Sequence, residues 1–396
     1  MARKLSNALG DKIKNLPFAT LTIIAVNAIV YLLTRSKIED AVTDYGLIPS
    51  QLRLGRMLTA AFLHDGVVHL CTNMALLYIF GRDVERAMGK LEYAMFYIGA
   101  CVAASVLHVA IVFAALPTFC ETRAIIGASG AVAGVMGIYA VRFHRKSFRF
   151  GEIRVPPLLL IMAWLIIQIV LGIRGLYQDS VIIERIGYWS HLGGFAFGIV
   201  IALFTNMALS GEREHLLSEA RRNYDEGSLL EAAQNYESLL KYDPDNAFAH
   251  AELGRLWGIL EEEEQSVPCY QVAVEFYLAQ GKEEEALAAA DQMRKFWPDA
   301  ELPAPTRFRL ASYLGEAGRP QRAIQAFQKI VDNDGTCVEA QMSLLKIGQL
   351  QLSSLDDPAA AVSTLRGLLD RYPQTEWRKF VEQTLARAEE TAGRGT

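Results

Sequence analysis

The chain has 396 residues, and its formal net charge of −5 conceals two unlike parts. Residues 1–210 hold 19 Lys and Arg against 12 Asp and Glu, a balance of +7, whereas residues 211–396 hold 20 against 32, a balance of −12. Neither part has the concentrated basic charge of a nucleic-acid binder, and five dispersed cysteines (Cys71, Cys101, Cys120, Cys269 and Cys337) form neither a disulfide framework nor a zinc pattern.

A helix needs about 20 apolar residues to cross a bilayer. Six segments approach that length, at about 18–34, 67–80, 92–116, 124–141, 156–173 and 186–208. The second and fourth are short or rich in small residues, as in helices buried inside a bundle. The first lacks a small-residue cleavage site, and Asn27, Tyr31 and the polar flank from Thr34 mark it as an anchor. With the N-terminus in the cytoplasm, the inner segments carry twelve Lys and Arg, and the longer outer loops carry seven. Arg142-Phe143-His144-Arg145-Lys146 is the strongest inner signal. The expected architecture is therefore all-α: a cytoplasmic segment at 1–17, a six-transmembrane-helix domain at 18–208 and a cytoplasmic helical domain at 209–396.

Polar groups inside apolar runs are costly in lipid and mark candidate functional sites. Ser129 lies in Gly127-Ala128-Ser129-Gly130, His191 in Ser190-His191-Leu192-Gly193-Gly194, and His69 and Asn73 share a helical face four residues apart. All three helices enter from the outer side. Ser129, His191 and Asn73 then share one depth, about 8–10 Å below the outer boundary at about 1.5 Å per residue. A serine hydroxyl becomes a nucleophile when an adjacent base takes its proton, and His191 can serve as that base. The Asn73 amide, His69 and the Ser129 N–H are the available oxyanion donors. No acidic residue sits at matching depth within a helix, so the pattern predicts a Ser–His dyad. Small residues around both groups, among them Gly127, Gly130, Gly194 and Gly198, allow the two helices to approach closely.

The same residues resemble the rhomboid family of intramembrane serine proteases in its bacterial six-helix form, over about residues 18–208. Phe62-Leu63-His64 followed by His69 and Asn73 is similar to the second helix of that family. Gly81 to Glu85, closing with Gly89, is similar to its G-x-x-x-E-x-x-x-G turn. Gly127-Ala128-Ser129-Gly130 resembles its nucleophile motif, and His191 with Gly194 and Gly198 its last catalytic helix. The resemblance implies Ser129 as nucleophile, His191 as general base, His69 and Asn73 at the oxyanion, Glu85 as a structural pin, and Arg56 as the Arg of a Trp-Arg pair. Gly55 stands in place of that Trp. Ala133 stands where the family often has an aromatic that stacks on the histidine, so the imidazole must be oriented from elsewhere. In loop 35–66, a lateral wall beside the active site and a plain membrane-surface segment are equally open.

The second part carries an irregular internal repeat. Gly227, Ala232, Tyr236 and Pro244 recur as Gly281, Ala286, Ala290 and Pro298, then as Gly318, Ala323 and Phe327, and partly as Asp356, Ala361, Leu365 and Pro373. The Gly ends one helix, the small and aromatic residues pack between helices, and the Pro stops the second. This resembles a divergent tetratricopeptide array, with an extra helical pair at 251–280. Such stacks bind peptides or protein partners.

The expected function is hydrolysis of a peptide bond in or near a substrate's transmembrane helix, close to the outer leaflet of a bacterial inner or plasma membrane. Neither metal nor cofactor is required. The implied partners are transmembrane substrates, the lipid bilayer and a protein or peptide bound by the repeats. The rival is a non-catalytic adaptor for membrane clients, against which intact Ser129 and His191 argue. Polar groups confined to one leaflet argue against a transporter.

Overall fold

A computed structural model describes residues 16–115, 124–177 and 187–394. Cys120 and most of the 1–17 segment lie outside the described residues. The chain divides into two compact units, Met1–His215 and Leu216–Thr396.

In the first unit, α1 spans Phe18–Thr34, α2 Ile38–Tyr45, α3 Leu54–Thr59, α4 Val67–Met88, α5 Lys90–Ala115, α6 Ser129–Arg142, α7 Pro157–Tyr177 and α8 Tyr188–Phe204. Helices stand in all six apolar segments. Among the described residues, three helical stretches are long and apolar enough to cross a membrane: Phe18–Tyr45, Lys90–Ala114 and Pro157–Arg174. Two bent pairs, Leu54–Phe62 with Val67–Met88 and Tyr188–Phe204 with Met207–Asp225, pass that test only jointly. The 14-residue α6 is shorter than expected, because residues 124–128 approach Ser129 as non-helical chain. There Ile125 and Leu47 exchange backbone hydrogen bonds of 2.9 and 3.1 Å.

An all-α description also needs one correction. Strands β1 (Phe148–Phe150) and β2 (Ile153–Val155) form an antiparallel hairpin. Alternation in Phe-Arg-Phe and Ile-Arg-Val supplies the period of two, and Gly151, at φ +62°, supplies the turn. Segment 35–66, expected as a loop, contains α2, α3 and three 3₁₀ turns.

The first amides of a helix have no partner within it. At α1 the carboxylate of Glu85, near the end of α4, accepts from Ala19 N (2.9 Å), Thr20 N (2.8 Å) and Thr20 Oγ1 (2.8 Å). One buried side chain thus caps α1 and ties it to α4. Helices α6 and α8 cross at very short range. A Cβ on Gly198 would stand 2.0 Å from the Gly134 carbonyl oxygen. Close backbone approach of this kind is how membrane helices gain packing without a hydrophobic driving force. Around this crossing, Leu77, Tyr93, Ala100, Ala133, Val135, Ile138 and Tyr139 form a core at most 1% exposed.

The helix α9 (Met207–Asp225) contains the division point. The second unit continues with α10 (Leu229–Tyr242), α11 (Ala247–Ile259), α12 (Glu263–Ala279), α13 (Glu283–Phe296), α14 (Ala304–Glu316), α15 (Pro320–Asn333), α16 (Val338–Ser353), α17 (Pro358–Arg371) and α18 (Arg378–Arg394). From α10 onward each helix packs on its neighbour in the chain, the nearest-neighbour pattern of a solenoid. The repeat positions Ala232, Ala286, Ala290, Ala323, Ala361 and Leu365 are fully buried. The wide gap between Gly227 and Gly281 has a physical reason. Glu261 takes the turn position at φ +62°, and Ser266 and Tyr270, both fully buried, take the small and aromatic positions that follow. Asp356 fills the same left-handed position in the last turn, at φ 52°.

Candidate functional site

Three short-range constraints fix Ser129. The Leu47–Ile125 bridge holds the incoming chain, Gly127 N–H donates to Ala60 O at 2.8 Å, and Gly127 adopts φ +117°. Such a φ is easily reached only by glycine. The position is also too crowded for a side chain, since a Cβ there would stand 2.8 Å from His69 Nε2. Ser129 is consequently the first residue of α6. His191 lies in the first turn of α8, where its N–H donates to Gly187 O at 3.1 Å.

The crossing of α6 and α8 brings the two side chains together. The Ser129 hydroxyl and His191 Nε2 are 2.7 Å apart, hydrogen-bond range. His191 is almost fully buried, and its Nδ1 lies 2.7 Å from Gln168 Oε1 on α7. The imidazole also packs against Trp164, at 5.5 Å between ring centroids and 38°, and edge-on against Tyr188, at 6.4 Å and 85°. With Ala133 at the position where an aromatic was sought, the orienting groups come from α7 and from α8 itself.

Of the other candidates, His69 and Asn73 line the same cavity as Ser129 and His191. Its volume is about 330 Å³, and Asp65, His69, Asn73, Ser129, Trp164 and His191 are on its wall. His69 Nδ1 donates to the Asp65 carboxylate at 2.7 Å, leaving Nε2 turned toward Gly127. Asn73 Nδ2 donates to His64 Nε2 at 3.3 Å, and His64 is fully buried. Gly130, Gly194 and Gly198 sit at the α6–α8 crossing, and Gly130 also meets α5, where an added Cβ would be 2.7 Å from Ala104 Cβ. Glu85 caps α1, and Arg56 lies on α3; neither lines this cavity.

Sequence reasoning missed Gln168, Trp164 and Asp65. Gln168 had a readable signal: an amide within the apolar run of α7, one turn after Trp164. Asp65 escaped because it precedes α4 instead of lying inside a helix.

Comparison with known proteins follows this division. Residues 51–207 match the model of the rhomboid domain, and residues 306–335 and 342–375 match that of the tetratricopeptide repeat. YdcA of Bacillus subtilis (strain 168), provisionally named a rhomboid protease, is 24% identical over 164 residues, 41% of this chain and 73% of that protein. RHOMBOID-like protein 4 of Arabidopsis thaliana is 28% identical over 148 residues, 37% of this chain and 32% of that protein. Rhomboid-type serine protease 2 of Emericella nidulans is 25% identical over 163 residues, 41% of this chain and 29% of that protein. The chain therefore spans under a third of the latter two. The protein carries a rhomboid domain followed by tetratricopeptide repeats.

Proposed function

We propose that residues 18–208 form an intramembrane serine endopeptidase that cleaves membrane proteins in or near a transmembrane helix. The 2.7 Å contact between Ser129 Oγ and His191 Nε2, inside a walled cavity, carries this reading. As Ser129 Oγ attacks the scissile carbonyl, its proton passes to His191 Nε2. The tetrahedral oxyanion is met by the Ser129 N–H together with Asn73 and His69. Collapse of that intermediate breaks the C–N bond, and His191 returns the proton to the leaving amine. Water, deprotonated by the same imidazole, then hydrolyses the acyl-enzyme.

His69 can assist only in one state. Its Nδ1–H is engaged by Asp65, so donation from Nε2 requires the doubly protonated ring. The Asp65 carboxylate thereby fixes which way the His69 ring faces.

The distribution of Lys and Arg supports cytoplasmic termini and a site near the outer leaflet of a bacterial inner or plasma membrane. The repeat unit would then engage a protein or peptide partner on the cytoplasmic side. A fluorophosphonate probe tests the assignment. Labelling of the wild-type protein that disappears in Ser129→Ala supports the peptidase. Absence of labelling in well-folded wild-type protein favours a non-catalytic adaptor.

A further inference from the structure

We infer that Gln168 is a positioning residue that holds His191 in the single tautomer able to accept the Ser129 proton. The inference rests on the peptidase reading and extends it from two side chains to three. A neutral imidazole carries one N–H. If Nε2 accepts from Ser129 Oγ at 2.7 Å, the proton resides on Nδ1, and Nδ1 then needs an acceptor. The only acceptor paired with it among the described residues is Gln168 Oε1, at 2.7 Å.

Burial makes this contact consequential. Gln168 is 8% exposed and His191 6% exposed. A buried N–H without a partner is destabilised relative to the alternative tautomer, and that alternative protonates Nε2 and abolishes the base. Trp164 and Tyr188 hold the plane of the ring by packing, but an aromatic face does not determine which nitrogen bears hydrogen. A glutamine in the middle of a 21-residue apolar helix is itself costly unless its amide is engaged. The two requirements are met by one hydrogen bond.

Gln168 also differs from a carboxylate in kind. With Oε1 facing Nδ1 it selects the Nδ1–H tautomer while adding no negative charge beside the imidazole. When His191 takes the second proton, its Nδ1–H keeps the same acceptor dipole, and no ion pair has to form in the low-dielectric interior.

The test uses full-length protein in detergent, the rate of Ser129 labelling by a fluorophosphonate, and ¹⁵N NMR of histidine-labelled protein with the His191 signal assigned by its loss in His191→Ala. Gln168→Met keeps the side-chain length and removes the acceptor. Labelling should slow by roughly 10–100-fold, and His191 should shift towards the Nε2–H form. Gln168→Glu, which restores an acceptor, should recover the labelling rate. Wild-type labelling rates in folded Gln168→Met would overturn the inference. So would an Nε2–H tautomer at His191 in the wild-type spectrum, a measurement that holds even if Gln168→Met does not fold. Failure of the peptidase reading looks different: wild-type Ser129 is then unlabelled, whatever tautomer the spectrum records.

Discussion

A Cβ placed on Gly194 would stand 1.8 Å from the carbonyl oxygen of Gly130, which is backbone and cannot rotate away. Gly194→Ala must therefore push α8 away from α6, and the Ser129–His191 contact lies on the same crossing. Overpacking usually costs 1–3 kcal/mol; against rigid backbone we expect about 3 kcal/mol or more, with loss of fluorophosphonate labelling. Thermal unfolding in detergent and labelling rate measure both. An alanine variant with unchanged melting and labelling would show that the helices are not held this closely.

Removing the Glu85 carboxylate leaves the Ala19 and Thr20 amides and the Thr20 hydroxyl without their acceptor. Glu85→Ala should destabilise the first unit by about 3 kcal/mol and loosen α1 from α4. Limited proteolysis should then cut near residue 18 faster than in the wild-type protein, and equal cutting rates would contradict the capping role.

Asp65→Asn retains the size of the side chain and removes its charge. If Asp65 holds the His69 ring in place beside the oxyanion, turnover of a membrane substrate should fall roughly 5–10-fold. KM should hold steady, because the lost interaction belongs to the transition state. A change confined to KM would place Asp65 in substrate binding instead.

Glu261 adopts φ +62° at a turn where Gly227, Gly281 and Gly318 are glycines. Its left-handed backbone carries a penalty that glycine avoids. Glu261→Gly should raise the stability of the repeat unit by up to about 1 kcal/mol. Gly281→Ala should lower it, and denaturant unfolding compares the two. Destabilisation by Glu261→Gly would mean that the Glu261 side chain contributes more than its backbone loses.

Burial, with the Glu237 charge as a smaller cause, pushes the Cys269 thiol up to about 11 from an ordinary 9. The unfolded chain ionises this thiol first. Its contribution to folding is thus fully present below pH 9 and is lost as pH rises through about 11. Burial likewise raises Tyr236, Tyr270 and Tyr277 above the ordinary tyrosine value, and they act in the same direction. Alkylation of Cys269, followed by mass spectrometry, should accelerate with pH only towards 11 in folded protein and near 9 in unfolded protein. Identical profiles would show that the thiol is not buried.

The parts of the fold legible in the sequence are those written as long-range pattern. Six apolar runs located six helices, and the repeated Ala and aromatic positions located the buried seams of the second unit. What escaped was local. The hairpin at Phe148–Val155 is too short to stand out among apolar helices, although its alternation is visible. Glu261 hid a turn because glycine was the expected occupant. At the site, Ser129 and His191 could be paired because small residues flank both and permit a close crossing. Gln168 could not be paired by pattern, since only the helix packing decides which face of α7 meets the imidazole.

The pairing of Leu47 with Ile125 bears on how this scaffold tolerates change. Both hydrogen bonds are made by main-chain atoms, so they survive replacement of either side chain by another apolar one of similar bulk. Apolar substitutions can accumulate at Leu47, Ile48 and in 124–126 while the approach to Ser129 keeps its course; Gly46, where a Cβ would stand 2.4 Å from the Val42 carbonyl oxygen, is the exception. Insertion or deletion of a single residue in either segment would instead shift the register and carry the hydroxyl out of line, so drift in composition is permitted here and drift in length is not.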